Sequence, residues 1–265
     1  MIHKNNITGI ILAGGNSTRM GTDKGLLNYN NKSFINVIAD AIQPLVNNVM
    51  LISSRQVHDT SGIKRYDDIF PDAGPLAAIY TGLYHSETVF NLVVSCDVPL
   101  ISPTVLKKLI GHADGSDVVQ FKIASDTMPL VALYKKSCMP IIYELLQNNE
   151  KRVWMALNRL NVKTVELEKK YWKLLSNVNT KKEFIKIQSM IKVRYFGMLA
   201  EVTQCSEELI VFSGTTVHEL SSILLIKYPK LNEMHYQFAQ NNDIVDESSP
   251  VITGEIALLP PFAGG

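Results

Sequence analysis

Three stretches of the sequence carry residues whose types and spacing could do chemistry. In ILAGGNSTRMGTDK (residues 11–24) an apolar run stops at Gly14-Gly15, and a polar loop with Arg19 and Lys24 follows. Glycines after a strand let the chain turn with positive φ and let a ligand approach the main chain closely. Exposed backbone N–H groups there favour an anion, and the two cations add full charges nearby. The loop lacks the Gly-Lys-Ser/Thr of a Walker A motif and is not GxGxxG, so read alone it is also compatible with a plain turn bearing two solvated cations. In VVSCDVP (93–99) Asp97 stands directly after an apolar run. An acid at the carboxyl end of a central strand could bind Mg²⁺, which prefers one or two carboxylates, waters and substrate phosphates; it could equally cap the next helix. In DDIFPDAGPLAAI (67–79) Asp67, Asp68 and Asp72 precede Gly74-Pro75, a helix start within an acidic loop.

These residues need a scaffold, and the apolar pattern supplies one. Residues 7–12, 49–52 and 92–95 are short apolar runs that read as buried strands, while 34–45, 75–85 and 103–112 have helical spacing. Alternating strands and helices predict a mostly parallel, doubly wound α/β sheet. Ligands of such sheets bind beyond the carboxyl ends of the strands, where the glycine loop and Asp97 fall. A helix over 180–189 closes this part. From Met190 onwards the pattern changes to strand, strand, helix and two late strands at about 238–240 and 255–259, with Thr215 or Thr216 as the helix cap. That order in so short a segment is an independent α+β unit.

The composition fits this division. At 265 residues, 46% hydrophobic and 19% charged, the chain can bury a substantial core. The net charge of +1 conceals an asymmetry: from Met190 on there are four cations against nine acids, and the remainder carries +6. A basic first part suits phosphate-rich ligands and an acidic second part suits a basic protein partner. No apolar run has the length of a membrane span, and the first residues lack the features of a signal peptide. Cys96, Cys138 and Cys205 are odd in number and scattered, which fits neither a disulfide framework nor a zinc site and points to the reducing cytoplasm. Cys96 reads as a small buried residue.

LAGGNSTRMGTDK, DDIFPDAGPLAAI, VSCDVP and SNVNTKKEF, in that order, resemble molybdenum cofactor guanylyltransferase over residues 7–188. The resemblance implies a Rossmann-like nucleotidyltransferase domain (1–188) that transfers GMP from GTP to molybdopterin with Mg²⁺. Related cytidylyltransferases tend to have Ala-Ala-Gly where this chain has Ala13-Gly14-Gly15, so it favours guanine. It implies that Leu12, Ala13, Gly14 and Gly15 hold the nucleotide through main-chain groups, that Lys24 and Arg19 hold the triphosphate, and that Asp68 helps place the nucleoside. Asp97 would bind the metal; Asn177 and Asn179 would lie near the pterin, with Arg152 on its phosphate. The chain departs from the family at Ser53, where Asn is common near the base, at Ala78 for Gly, and at Met128 for His.

The last part, with IKVRYFGMLAE, TVHELSSIL, FAQN and IALLPPFAGG, resembles the small subunit of molybdopterin synthase, a ubiquitin-like sulfur carrier of β-grasp fold (domain 189–265). That resemblance implies a thiocarboxylate on Gly265, an adenylating, E1-like partner that activates this carboxylate, and the synthase large subunit as receiver. Two side-chain-free residues, Gly264-Gly265, suit a narrow channel, although a floppy end is the usual fate of a terminus. No nucleic-acid or membrane partner is implied. Two other functions stay open: a sulfur carrier with a degenerate nucleotide-binding domain, and a nucleotidyltransferase using CTP or a sugar phosphate.

Overall fold

The structure, a computed structural model, describes residues 2–14, 23–113, 115–252 and 254–261. The chain divides into two compact units, Met1–Lys181 and Lys182–Gly265.

In the first unit β1 (Ile7–Leu12) leads through a short hairpin, β2 (Asn28–Tyr29) and β3 (Lys32–Ser33), into α1 (Phe34–Ile42) and β4 (Asn48–Ile52). Then come β5 (Lys64–Tyr66), α2 (Gly74–His85), β6 (Phe90–Ser95), α3 (Pro103–Gly111), β7 (Val118–Ile123), β8 (Asp126–Lys135), α4 (Met139–Gln147), α5 (Val153–Leu157) and β9 (Val162–Glu166). The sheet order is β5-β4-β1-β6-β8-β7-β9. The ladders of β1, β4, β5 and β6 are parallel, as is β7 with β9, whereas β8 runs antiparallel to both its neighbours. The sheet is mostly parallel, as expected, with β8 as its antiparallel member. The chain winds from β1 outward to β4 and β5, then returns to place β6 on the other side of β1. The winding reverses at β1, the switch point at whose carboxyl end such sheets bind their ligands.

Sequence explains this centre. All six residues of β1 are buried, because helices cover both faces of a doubly wound sheet and alternation is lost. Gly82 lets α2 press onto β1: a Cβ there would stand 2.6 Å from Ile10 Cγ2. Ser33 caps α1 and Ser102 caps α3 through their side chains.

The second unit opens with α6 (Lys181–Gln188), whose first residue ends the unit before it. It continues through β10 (Met190–Tyr195), α7 (Met198–Thr203), β11 (Glu207–Val211), α8 (Val217–Lys227), β12 (Gln237–Gln240), β13 (Asp243–Val245) and β14 (Glu255–Leu259). The order is β11-β10-β14-β12-β13, with β10 and β14 parallel at the centre and the outer ladders antiparallel. One helix, α8, supplies Val217, Leu220 and Leu224 to a core shared with Ile191, Val193 and Ile256. This is a β-grasp. Thr216 is the cap of α8, in a reciprocal box with Glu219. Among the described residues no helix is long and apolar enough to cross a membrane.

Candidate active site

The parallel register lines up three strand ends. Leu12 pairs with Ile52 on one side and Ser95 on the other. Just past them, Ala13 N–H donates to Ile52 O (3.0 Å) and Cys96 N–H to Leu12 O (2.9 Å). Ala13-Gly14, Ser53 and Asp97 thus stand along one edge, with Asp68 next after β5. Gly14 is exposed, and a Cβ on it would meet nothing within 4 Å. Its φ is not in the left-handed region, so open access to the backbone, rather than a special turn, is what this glycine provides. Gly15, Arg19 and Gly265 lie outside the described residues.

Lys24 opens a short 3-10 turn that Asp23 caps by accepting from Gly25 N–H at 2.9 Å. The Lys24 ammonium donates to Asn179 Oδ1. One residue before, Val178 N–H donates to Asp97 O at 2.7 Å. These contacts bring Lys24, the main chain of Asp97 and the segment of Asn179 together from three separate stretches of sequence. Cys96 lies among them. Burial pushes its thiol up to about 12; Asp97 and Asp23 push the same way, and Lys24 opposes them. A thiol held there is inert.

Asp97 is partly exposed and does not cap α3, since Ser102 does so five residues later. Among the described residues no group of three or more His, Cys, Asp or Glu could hold a metal. A single hard carboxylate beside a phosphate site still fits Mg²⁺, which retains water and takes phosphate oxygens. Asn177 lines a groove of about 340 Å³ together with Ile123, Asp126, Met128, Trp172 and Ser176 among others.

Asp68 is half-buried, and its Oδ1 has no protein partner. Burial raises its pKa to about 6, a Thr81 hydrogen bond opposes this, and Asp67 adds to it. Ser53 is fully buried and committed inward. Its hydroxyl lies 2.7 Å from His58 Nδ1 and accepts from Arg55 N–H (3.1 Å); its N–H donates to Tyr66 O and its carbonyl accepts from Arg65. Arg152 is exposed, stacked over Trp154 and paired with Glu150, whose carboxyl it holds down to about 2. Its neighbour Lys151 reaches Asp72 O, which places Arg152 beside the turn that starts α2. A phosphate at Arg152 would have to displace Glu150.

Sequence reading missed Asp23, Arg55, His58 and Trp172. Asp23 is part of the glycine-loop stretch, but its role depends on Arg55 and His58, which lie in a polar loop with no periodic signal.

The model of the MobA-like NTP transferase domain matches residues 9–164. The chain belongs to this family. A probable molybdenum cofactor guanylyltransferase of Flavobacterium johnsoniae is 36% identical over 178 residues, spanning 67% of this chain and 94% of that protein. One from Clostridium perfringens strain 13 is 32% identical over 66% of this chain and 92% of its own length. The ThiS family model matches residues 193–265. The crystal structure of molybdopterin-guanine dinucleotide biosynthesis protein A from Archaeoglobus fulgidus superposes with a TM-score of 0.59 at 23% identity, covering 67% of this chain and 95% of that one. The 4-diphosphocytidyl-2C-methyl-D-erythritolsynthase of Anaerococcus prevotii superposes at 0.54 with 14% identity, covering 69% and 96%. At such identities these two likenesses establish the nucleotidyltransferase fold alone.

Proposed function

We propose that this nucleotidyltransferase transfers GMP from GTP to molybdopterin through residues 1–188, and that residues 189–265 carry sulfur for molybdopterin synthase. The observation that carries the first reading is the convergence of Lys24, Asp97 and Asn179 at the switch point of the sheet. The names of the matched relatives support guanine and the pterin acceptor.

In this reading the Ala13-Gly14 backbone, continuing into Gly15, receives the nucleotide, and Asp68 takes a donor group of the nucleoside. Lys24, with Arg19, holds the triphosphate and neutralises the charge that grows on its oxygens as the acceptor phosphate attacks the α-phosphorus and pyrophosphate leaves. Mg²⁺ held by Asp97 would supply further charge neutralisation and alignment. Asn177 and Asn179 orient the acceptor, and the groove that Asn177 lines suits its flat ring system, with Trp172 and Met128 as apolar walls and Asp126 for ring N–H groups. Ser53 contributes by position rather than through its hydroxyl. No nucleophilic side chain is required, which agrees with the inert Cys96.

The carrier reading rests on the β-grasp and on its last strand. Between Asp243–Val245 on one side and Glu207–Val211 on the other, β14 lies at the sheet centre, paired on both edges, so the following tail springs from a fixed base. An adenylating partner would activate the terminal carboxylate of Gly265, and the synthase large subunit would receive the sulfur. Both activities belong in the cytoplasm.

The test is GMP transfer by the wild type and Asp97→Asn. The asparagine is nearly isosteric but lacks the charge a metal needs. Transfer should fall at least about a hundredfold with the fold intact, an oxyanion-scale loss; near-normal transfer by the variant would remove Asp97 from the mechanism.

A further inference from the structure

We propose that His58 is a positioning residue for the reaction: it locks the turn carrying Lys24 to the end of β4, and so sets the affinity for the triphosphate. The proposal rests on the assignment of Lys24 to the triphosphate. It follows from one buried relay that, with the more exposed Arg55 beside it, joins the two loops.

His58 is fully buried, in the 3-10 turn Gln56–Ser61 that follows β4. Its two ring nitrogens face two different loops. Nδ1 lies 2.7 Å from Ser53 Oγ, at the last buried position of the β4 edge. Nε2 lies 3.0 Å from Asp23 Oδ2, within ion-pair distance though off the line of a good hydrogen bond. With the proton on Nε2, the ring presents N–H to the carboxylate and leaves Nδ1 to accept from the Ser53 hydroxyl. The Ser53 oxygen then accepts from Arg55 N–H, so each hydroxyl function is used once.

Asp23 is the pivot of the Lys24 turn. Its Oδ1 accepts from Gly25 N–H, and its main-chain O from Leu26 N–H at 3.3 Å. Its other oxygen is shared by His58 and Arg55, the latter at 2.7 Å. Burial alone would raise the Asp23 carboxyl; the Arg55 and His58 side chains that face it and the Gly25 N–H outweigh burial and hold it below its usual value. Arg55 is 39% exposed, and pairs reaching solvent are weak tethers; His58, at 0%, cannot leave without opening the core. The fit is close on the other side too. A Cβ at Gly25 would stand 3.1 Å from His58 Nε2 and 2.8 Å from Ile35 Cδ1. The imidazole is therefore the rigid member of the link, and Lys24 is the next residue along the chain from the carboxylate it holds.

The relay also explains the departure at Ser53. A larger amide there would displace the hydroxyl that seats His58. This chain uses the position to anchor the Lys24 turn instead of exposing a side chain to the base.

Three substitutions separate positioning from mere core filling. His58→Gln can set an amide N–H near the Nε2 position, facing Asp23; His58→Asn keeps a group near Nδ1 only; His58→Ala keeps neither. KM for GTP should rise about tenfold in the Ala and Asn variants and return to within about threefold of wild type in the Gln variant, the size of one lost charge-assisted contact. Turnover at saturating GTP should change less than threefold in all. Equal losses in all three with KM unchanged would mark a purely structural residue and overturn the proposal. Hydrogen exchange on the nucleotide-free protein gives a readout independent of the assigned reaction. Amides of residues 23–27 should exchange about tenfold faster in His58→Ala, with residues 7–12 unchanged. If exchange there is unaltered, His58 does not hold the turn, whatever the substrate; if exchange responds and the wild type does not use GTP, the positioning stands and the assigned substrate fails.

Discussion

Lys24 donates to Asn179 across 155 positions of sequence. The contact links a turn after β1 to the segment that leaves the first unit, and it sets a residue assigned to the donor phosphates against one assigned to the acceptor. Two substrates that react through phosphate oxygens must meet where such groups meet.

Lys24→Ala should raise KM for GTP by about one to two decades, from loss of a contact worth roughly 1.5–3 kcal/mol. Asn179→Ala should act mainly on KM for the acceptor. Because the two residues touch, the double variant should lose less than the sum of the two free energies. Strict additivity in transfer assays would show that the pair does not act together.

Asp68 gives a pH signature. Its folded pKa is about 6 against an ordinary 3.8, raised by burial. A raised carboxyl stabilises the fold below the ordinary value, and that contribution is lost as pH rises through about 6. Asp68→Asn carries no such penalty. Melting curves at pH 5 and pH 8 should show the variant gaining on the wild type at pH 8; parallel behaviour at the two values would contradict the burial of this carboxyl. In the wild type a nucleoside donor favours the ionised form, so GTP affinity should increase between pH 5 and 7.

Gly82→Ala tests the packing that holds β1 under the site. The new methyl would enter the 2.6 Å gap to Ile10 Cγ2, in a core with no space. Overpacking of this kind costs about 1–3 kcal/mol. Denaturant unfolding should show that loss, and Ile10→Ala in the same chain should recover part of it. An unchanged midpoint would mean that α2 is free to move off the sheet.

Deleting Gly264-Gly265 should stop sulfur loading and leave GMP transfer intact. The assay is intact mass after incubation with an adenylating partner, ATP and a sulfur donor. Adding one Ala after Gly265 should be nearly as damaging, because it displaces the carboxylate and adds a methyl group at the chemistry. Full thiocarboxylation of the extended chain would show that Gly265 is not the reactive residue.

Much of this arrangement is written locally in the chain. The strands Ile7–Leu12 and Glu255–Leu259 begin and end where their apolar patterns do, and the Thr216 cap follows from a hydroxyl three residues before Glu219. The β7–β8 hairpin is not legible in this way. Pro129 argues against an interior strand, since it cannot donate to a ladder. In the fold it falls where the β7 register shifts and before the β6 pairing begins at Val131, so no ladder bond is asked of it. Short, half-exposed β9 and the turn holding His58 carry no periodicity either. The Asp23–His58–Ser53 relay exists only once β1 and β4 are neighbours, and no spacing in the sequence encodes that.

Nucleotide choice decides whether guanylyl transfer takes place at the β1 edge. The purified chain would be incubated with molybdopterin, Mg²⁺ and either GTP or CTP, with pyrophosphate release and product mass followed together. Guanylyl transfer should give one pyrophosphate per GMP-linked pterin with GTP, and at least about tenfold lower kcat/KM with CTP, the discrimination that one or two base contacts can give. Equal use of CTP would make the chain a different nucleotidyltransferase. No transfer from either nucleotide, by a protein that melts cooperatively, would leave the first unit as a scaffold for the carrier.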